Sequence, residues 1–245
     1  MSATLEEARP QAAPPEHLVR RRVLVTLGVV LGVMALVAGG PWVYATFFAP
    51  STPPPLTLPE QEPPVAALVA PAPVDLEGTW QVDDTSEAGY RLGEVLSGQQ
   101  VTVVGRTGQV DGTVTVEDGV LTAAEVVVDV ASVTTDESAR DAYFRRALDT
   151  STHPTAVFRL TSPVDVGVLD DADGGVPLEL PGVLVLHGVE RPVTASLVAQ
   201  RSGSGLEVAG TVPVVLADHD LTPPDLAFVT VEPEGTVEVL LRLTR

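Results

Sequence analysis

The sequence predicts an all-β domain, an antiparallel barrel or sandwich with one short helix, preceded by a single transmembrane helix and a Pro-rich linker. Three observations support this prediction. Residues 23–48 contain no charged side chain, residues 49–74 contain nine prolines, and residues 75–245 alternate repeatedly between apolar and polar side chains. The 245-residue chain therefore divides into 1–22, 23–48, 49–74 and 75–245.

The apolar segment 23–48 is long enough to cross a bilayer. Its 26 residues would rise about 39 Å as a helix, compared with a hydrocarbon core of about 30 Å. Arg20, Arg21 and Arg22 precede it, and no basic residue follows before Arg91. The positive-inside rule then places the tail 1–22 in the cytoplasm and the remainder outside the cell membrane. A cleaved signal peptide is the alternative, but the segment is longer than the usual signal-peptide core.

The linker 49–74 is predicted to be an extracytoplasmic spacer. Its nine prolines prevent regular helix formation and favour extended polyproline II conformations, which rise ~3.1 Å per residue. We expect this segment to hold the following domain away from the membrane.

Composition excludes several classes of function. The domain 75–245 carries 28 acidic residues and 10 arginines within a chain of net charge -19, so we expect no nucleic-acid binding, which requires a basic surface. The chain has no Lys and no Cys, which removes Schiff-base lysines, P-loop lysines, thiol nucleophiles and thiolate metal sites.

Period-two alternation predicts the strands of this domain. The clearest instance alternates Val110, Gly112, Val114 and Val116 with polar residues. The predicted strands lie near 79–83, 88–96, 100–106, 110–117, 119–130, 155–160, 182–188, 191–200, 205–216 and 236–243. Many short strands separated by Gly- or Asp-containing turns are typical of an antiparallel barrel or sandwich.

One segment breaks the alternation and predicts a helix of about three turns. Thr134 and Glu137 match a capping box, in which Thr134 would cap the helix and Glu137 would reach back. Phe144 and Leu148 give the helix an apolar stripe, and His153-Pro154 prevents its continuation. We expect this helix to cover one end or an opening of the sheet.

The sequence contains no recognisable catalytic or metal site. The three histidines of the domain, His153, His187 and His219, are too far apart in sequence to form a metal-binding pair on one element. Asp218-His219-Asp220 is interpreted as an exposed acidic turn rather than a metal site. We therefore predict that the protein is not an enzyme, with no catalytic residue, no metal ligand and no cofactor other than a bound lipid.

Five motifs, in this order, resemble the YceI-like domain family. They are GTWQVD at 78–83, VASVTT at 130–135, Arg140-Asp141, HPTAVF at 153–158 and GVLVLHGVERPV at 182–193. The resemblance covers essentially all of 75–245. It implies an exported, lipocalin-like antiparallel barrel whose apolar cavity holds a polyisoprenoid chain or a similar long amphiphile.

The aromatic residues of the domain are the candidate cavity walls, because ligand pockets and protein cores favour the same apolar side chains. Tyr90 is of special interest, since a buried phenol needs a hydrogen-bond partner that a ligand head group could supply. The candidate ligand-binding residues are Trp80, Tyr90, Tyr143, Phe144, Phe158 and Phe228.

Combined with the transmembrane segment, these features predict a membrane-anchored, extracytoplasmic protein that binds an isoprenoid or quinone-like lipid; they identify no protein partner. An alternative is a barrel with a solid interior that acts as a structural or protein-interaction module. Eleven Val residues between Val101 and Ala131 could fill a small barrel completely. A third hypothesis is a hydrolase that uses His187 or His219.

Overall fold

The structure, a computed structural model, describes residues 52–59, 75–96, 98–169, 172, 174–203, 205–223, 225–226 and 229–245. The predicted tail 1–22, the predicted transmembrane helix 23–48 and most of the predicted linker lie outside these residues. Within the described ranges, no helix is long and apolar enough to cross a membrane.

The alternating sequence forms twelve strands in the part of the chain that the structure describes. They are β1 (Gly78–Val82), β2 (Glu87–Leu96), β3 (Gln99–Thr107), β4 (Val110–Glu117), β5 (Val120–Asp129), β6 (Thr155–Leu160), β7 (Val164–Asp165), β8 (Val176–Leu186), β9 (Val189–Ser202), β10 (Gly205–Val215), β11 (Asp225–Leu226) and β12 (Val229–Thr244).

The strands pair in one antiparallel sheet that closes into a barrel. Strand β12 pairs with β10 along one edge and with both β2 and β1 along the other. Its pairing with β1 closes a ring in the order β1-β4-β5-β6-β8-β9-β10-β12, while β2 and β3 extend the wall beside the first part of β12. The prediction of an antiparallel barrel is thereby confirmed.

Alternate side chains of each strand point into the barrel, as the period of two requires. On β12, Val239, Leu241 and Leu243 are buried inside. Glu238, directly before Val239, faces the other side and forms ion pairs with Arg91 of β2 and Arg106 of β3. It is also buried, being only 2% exposed. The barrel wall therefore excludes water on both of its faces at this point.

The predicted helix is present as α1 (Ser138–Ala147), but the predicted capping box is wrong. Thr134 forms a backbone bridge with Arg106 of β3, so it belongs to the sheet and cannot cap the helix. Glu137 is the N-cap instead, and its side chain accepts a hydrogen bond from the Ala139 N–H. Asp141 is buried and accepts hydrogen bonds from the N–H and the hydroxyl of Thr135, which attaches the helix to the end of the barrel.

Part of the predicted spacer lies against the barrel. Residues 52–59, here called the strap, belong to the same compact unit as the barrel. Arg91 donates to the Pro53 carbonyl at 3.0 Å, and Arg106 donates to the Pro54 carbonyl at 2.8 Å. At the other end of the strap, Gln200 of β9 donates to the Pro59 carbonyl at 3.4 Å. An extended Pro-rich segment leaves its carbonyl groups unbonded, so the polar side chains of the outer barrel face can bind them.

Candidate functional site: the barrel cavity

The barrel encloses a cavity of about 300 Å³. Its walls consist almost entirely of Val, Leu and Ala side chains from the inner faces of the strands, together with residues of α1. The interior is therefore not solid. The reason is visible on β5, where Val126 and Val128 line the cavity while Val127 between them does not. Only part of the Val-rich sequence thus contributes to filling the interior.

The cavity has a closed end and an open end. At the closed end, Leu76, Leu121 and Val166 are each no more than 4% exposed. At the other end the lining residues are half-buried or exposed, and we call this set the mouth: Glu94, Arg140, Tyr143 and Thr222. Tyr143 is 38% exposed. A bound molecule would therefore enter beside α1.

Two of the predicted residues form a stacked pair near the mouth. The rings of Tyr90 on β2 and Phe144 on α1 lie 4.9 Å apart with an angle of 6° between their planes. Gly105 of β3 provides the space, since a Cβ atom there would overlap the Tyr90 ring. Burial raises the pKa of the Tyr90 phenol, so this group remains a neutral hydroxyl at physiological pH.

Phe158 on β6 lines the cavity by a similar arrangement. Its ring occupies the space beside Gly182 of the neighbouring strand β8, where a Cβ atom would overlap the ring. Tyr90, Tyr143, Phe144 and Phe158 therefore all line the cavity. Contact between these four residues and a ligand stays a prediction.

Of the other two predicted residues, the structure describes only Trp80, and it does not lie in the cavity wall. Trp80 is completely buried, and its indole N–H donates to the Leu76 carbonyl at 2.9 Å. The guanidinium group of Arg245 lies 4.7 Å from the centre of its ring. Trp80 is absent from the cavity lining, so the structure places it in packing beyond the closed end. Phe228 lies outside the described residues.

Two charged residues at the mouth were not predicted as site residues. Glu94 follows Ala88, Tyr90 and Leu92 on the inner face of β2, and burial raises the pKa of its carboxyl group. Arg140, which the sequence analysis names only as part of a family motif, also lines the cavity and forms a 2.6 Å ion pair with Asp136. The period-two pattern of β2 could have predicted the position of Glu94, because it places Glu94 on the same face of the strand as Tyr90.

The three histidines lie close together although they are far apart in sequence. The rings of His153 and His187 are 5.4 Å apart, and His187 donates from Nδ1 to the His219 carbonyl at 3.1 Å. His219 is 2% exposed and donates from Nδ1 to the Val189 carbonyl. The prediction of an exposed acidic turn is confirmed for Asp218 and Asp220, which are exposed, but is wrong for His219, whose side chain is buried. Among the described residues, no group of three His, Asp or Glu side chains is arranged to hold a metal ion.

Comparisons with known proteins identify the family and the fold. A family model for the YceI-like domain matches residues 80–243, which confirms the resemblance seen in the motifs. A polyisoprenoid binding domain from Saccharophagus degradans shares 20% identity with a TM-score of 0.55, covering 68% of this chain and 98% of its own. Burkholderia cenocepacia BcnA shares 19% identity with a TM-score of 0.52, covering 66% and 99%. No curated protein matches the sequence significantly.

Proposed function

Since the chain belongs to the YceI-like domain family, we propose that it binds a long-chain isoprenoid lipid, a polyisoprenoid or a quinone-like amphiphile, in the barrel cavity. The role is binding for storage or handover, with no catalytic step. The observation that carries this proposal is the cavity of about 300 Å³ with almost purely apolar walls. A soluble metabolite would find few hydrogen-bond partners there, whereas a hydrocarbon chain needs none.

The energetics agree with a lipid ligand. Burial of apolar surface contributes about 25 cal/mol per Å², or about 0.8 kcal/mol per CH₂ group, so a long chain gains affinity from its length alone. Pockets that bind small ligands commonly begin at about 300 Å³. One structural neighbour is described as a polyisoprenoid binding domain, which supports the isoprenoid class of ligand.

The proposed location is the outer side of a cell membrane, with the chain anchored by one N-terminal helix. The support is in the sequence: the charge-free segment 23–48 and the three arginines that precede it. A reporter enzyme that is active only outside the cytoplasm, fused after Arg245, should be active in cells. The same reporter fused after His17 should be inactive, and the reverse result would contradict the proposed orientation.

The ligand is tested by extracting lipid from the purified full-length chain and analysing it by mass spectrometry. Because an anchored protein also carries membrane lipid, the assay needs a variant with a blocked cavity. Ala124 lines the cavity on β5, so Ala124→Phe places a ring in the lipid's space. Val127 on the same strand is absent from the lining, so Val127→Phe is the matched control.

We expect one lipid species to co-purify with the wild type and with Val127→Phe but to be lost from Ala124→Phe. Melting curves establish that both variants fold. Equal lipid content in all three folded proteins would show that the lipid is not held in the cavity and would refute the proposal.

A further inference from the structure

Among the described residues, one carboxyl group of the cavity wall, that of Glu94, makes neither a hydrogen bond nor an ion pair. The alternation of β2 points it inward with Tyr90 and Leu92. Glu94 is half-buried, and burial raises the pKa of its carboxyl group, so water solvates it less well than a carboxylate on the open surface. A polar group held among apolar side chains needs a hydrogen-bond partner, and the ligand's polar end would lie at this height of the cavity.

The basic groups that border the cavity are already neutralised. Arg140 forms its ion pair with Asp136, and its charge also attracts the Glu94 carboxylate. The guanidinium group of Arg91 is bound to Glu238 and to the Pro53 carbonyl on the outer face. Among the described residues, no other arginine lines the cavity. The mouth therefore has no excess of positive charge, and with Glu94 its net charge is negative.

This charge balance selects between the possible head groups. A phosphate or diphosphate carries negative charge into a poorly solvated site and requires basic partners. A hydroxyl group is neutral and can donate a hydrogen bond to a carboxylate. A quinone offers only carbonyl and ether oxygens, which accept hydrogen bonds. An ionised carboxylate has no proton to donate to them.

We propose that the polar end of the ligand is an uncharged hydroxyl group that donates to Glu94, and that Glu94 excludes phosphorylated isoprenoids. The ligand class is then a polyprenol rather than a polyprenyl phosphate or a quinone. This inference rests on the proposed function, because it assigns a head group to a lipid already taken to occupy the cavity.

The test is a competition between lipids of equal chain length. The full-length chain in detergent is incubated with an equimolar mixture of a polyprenol, the corresponding polyprenyl phosphate and a quinone with the same side chain. The protein is then repurified, and its lipids are quantified relative to Ala124→Phe as background. We expect the wild type to retain at least about tenfold more alcohol than phosphate, and more alcohol than quinone.

Three variants assign the effect to Glu94. Glu94→Gln keeps the shape of the side chain and should reduce the preference for alcohol over phosphate to about threefold or less. Glu94→Asp keeps the charge and should keep the preference. The carboxylate of Glu232 lies beside Gly93 of the same strand, and Glu232 is exposed and absent from the cavity lining, so Glu232→Gln should behave as the wild type.

The possible failures can be distinguished. Equal retention of all three lipids, a preference for the phosphate, or equal effects of Glu94→Gln and Glu232→Gln would each overturn the assignment of Glu94 while leaving the proposed function intact. Retention of none of them above the Ala124→Phe background would refute the proposed function itself.

Discussion

The two faces of the barrel wall differ although the same strands build both. On its inner face, β2 presents Tyr90, Leu92 and the unpaired Glu94 to a cavity. On its outer face, Arg91 binds Glu238 and is covered by the strap. At β2 the outer face is therefore closely paired and covered, whereas the inner face borders the cavity. The outer contacts of β2 stabilise the wall without filling the space that is available for a ligand.

The largest effect is expected from breaking the outer ion-pair network. Glu238 is almost fully buried and accepts hydrogen bonds from Arg91 at 2.7 Å and from Arg106 at 2.9 Å. Glu238→Ala leaves two arginines without their shared partner. Both arginines are partly exposed, so we expect a loss of about 2–4 kcal/mol of unfolding free energy rather than the larger cost of a fully buried pair.

Denaturant unfolding measures this loss, with Glu234→Ala as the control. Glu234 lies on the same strand and is exposed, so its replacement should change stability by less than about 0.5 kcal/mol. Lipid retention should be unchanged in both folded variants, because neither side chain lines the cavity. Equal destabilisation by the two replacements would contradict a specific role for the outer network.

Substitutions at two glycines on adjacent strands allow a direct comparison of the inner and outer faces of the wall. A Cβ atom at Gly89 would overlap the backbone carbonyl of Gly105, whereas a Cβ atom at Gly105 would overlap only the Tyr90 ring and a Val133 methyl group. The backbone cannot move without disturbing the β2–β3 pairing, whereas the Tyr90 ring, although stacked on Phe144, borders the cavity and can shift toward it. We expect Gly89→Ala to cost about 2–3 kcal/mol and Gly105→Ala about 1 kcal/mol.

Stability and lipid binding should respond in opposite order to these two changes. Gly105→Ala pushes the Tyr90 ring toward the cavity and should reduce lipid retention more strongly than Gly89→Ala does. Thermal unfolding and lipid extraction on both variants measure the two effects. A larger stability loss for Gly105→Ala would mean that the inner face is as rigid as the outer face.

The strap should contribute a moderate part of the stability. Leu56 and Leu58 are its half-buried side chains, and Leu58 contacts the barrel near Gly175. Replacing both by Ser removes about half of the burial of two leucines, which corresponds to about 1–2 kcal/mol. Hydrogen exchange in β2 and β3 should increase. Thr57→Ser, at the exposed position between them, should leave the exchange unchanged.

The sequence pattern predicted the barrel well because alternation is a local property of each strand. It failed where another local signal opposed it. The first half of β8 contains Pro177 and Pro181, and the early part of β12 contains Glu232-Pro233-Glu234. Prolines in a strand usually argue against sheet pairing. Here β12 accommodates its proline at a break in register between Val231 and Gly235.

The site was less predictable than the fold, because inward-facing residues at different heights of a barrel have the same pattern. Trp80 and Phe158 are both aromatic residues on strands, but only Phe158 lines the cavity. The position of His219 depends on two residues that are distant in sequence: its Nδ1 donates to the Val189 carbonyl, and its own carbonyl accepts from His187. Glu94 could have been predicted from its alignment with Tyr90, but an isolated acidic residue near a strand end is usually solvated.

The smallest expected effect is on the pH dependence of stability, which should differ between Glu94 inside the barrel and Asp149 outside it. Burial raises the pKa of Glu94 above 4.5, so the folded state favours the protonated form. The wild type therefore loses folding free energy as the pH rises from below the unfolded-state pKa through the higher folded-state pKa. The glutamine of Glu94→Gln cannot titrate. The stability advantage of this variant over the wild type should therefore be absent below about pH 4 and should grow toward neutral pH.

Asp149, two residues after the end of α1, should show the opposite dependence of stability on pH. Hydrogen bonds from Thr152 and Ser151 hold its pKa below 3.8, so it stabilises the folded state above the unfolded-state pKa and loses this contribution as the pH falls. Asp149→Asn should therefore be less stable than the wild type at neutral pH, and the difference should vanish in acid.

Melting temperatures of both variants and the wild type between pH 3 and 8 measure these trends. Parallel curves for Glu94→Gln and the wild type would mean that Glu94 is solvated like a surface residue and that its carboxyl group does not belong to the cavity interior.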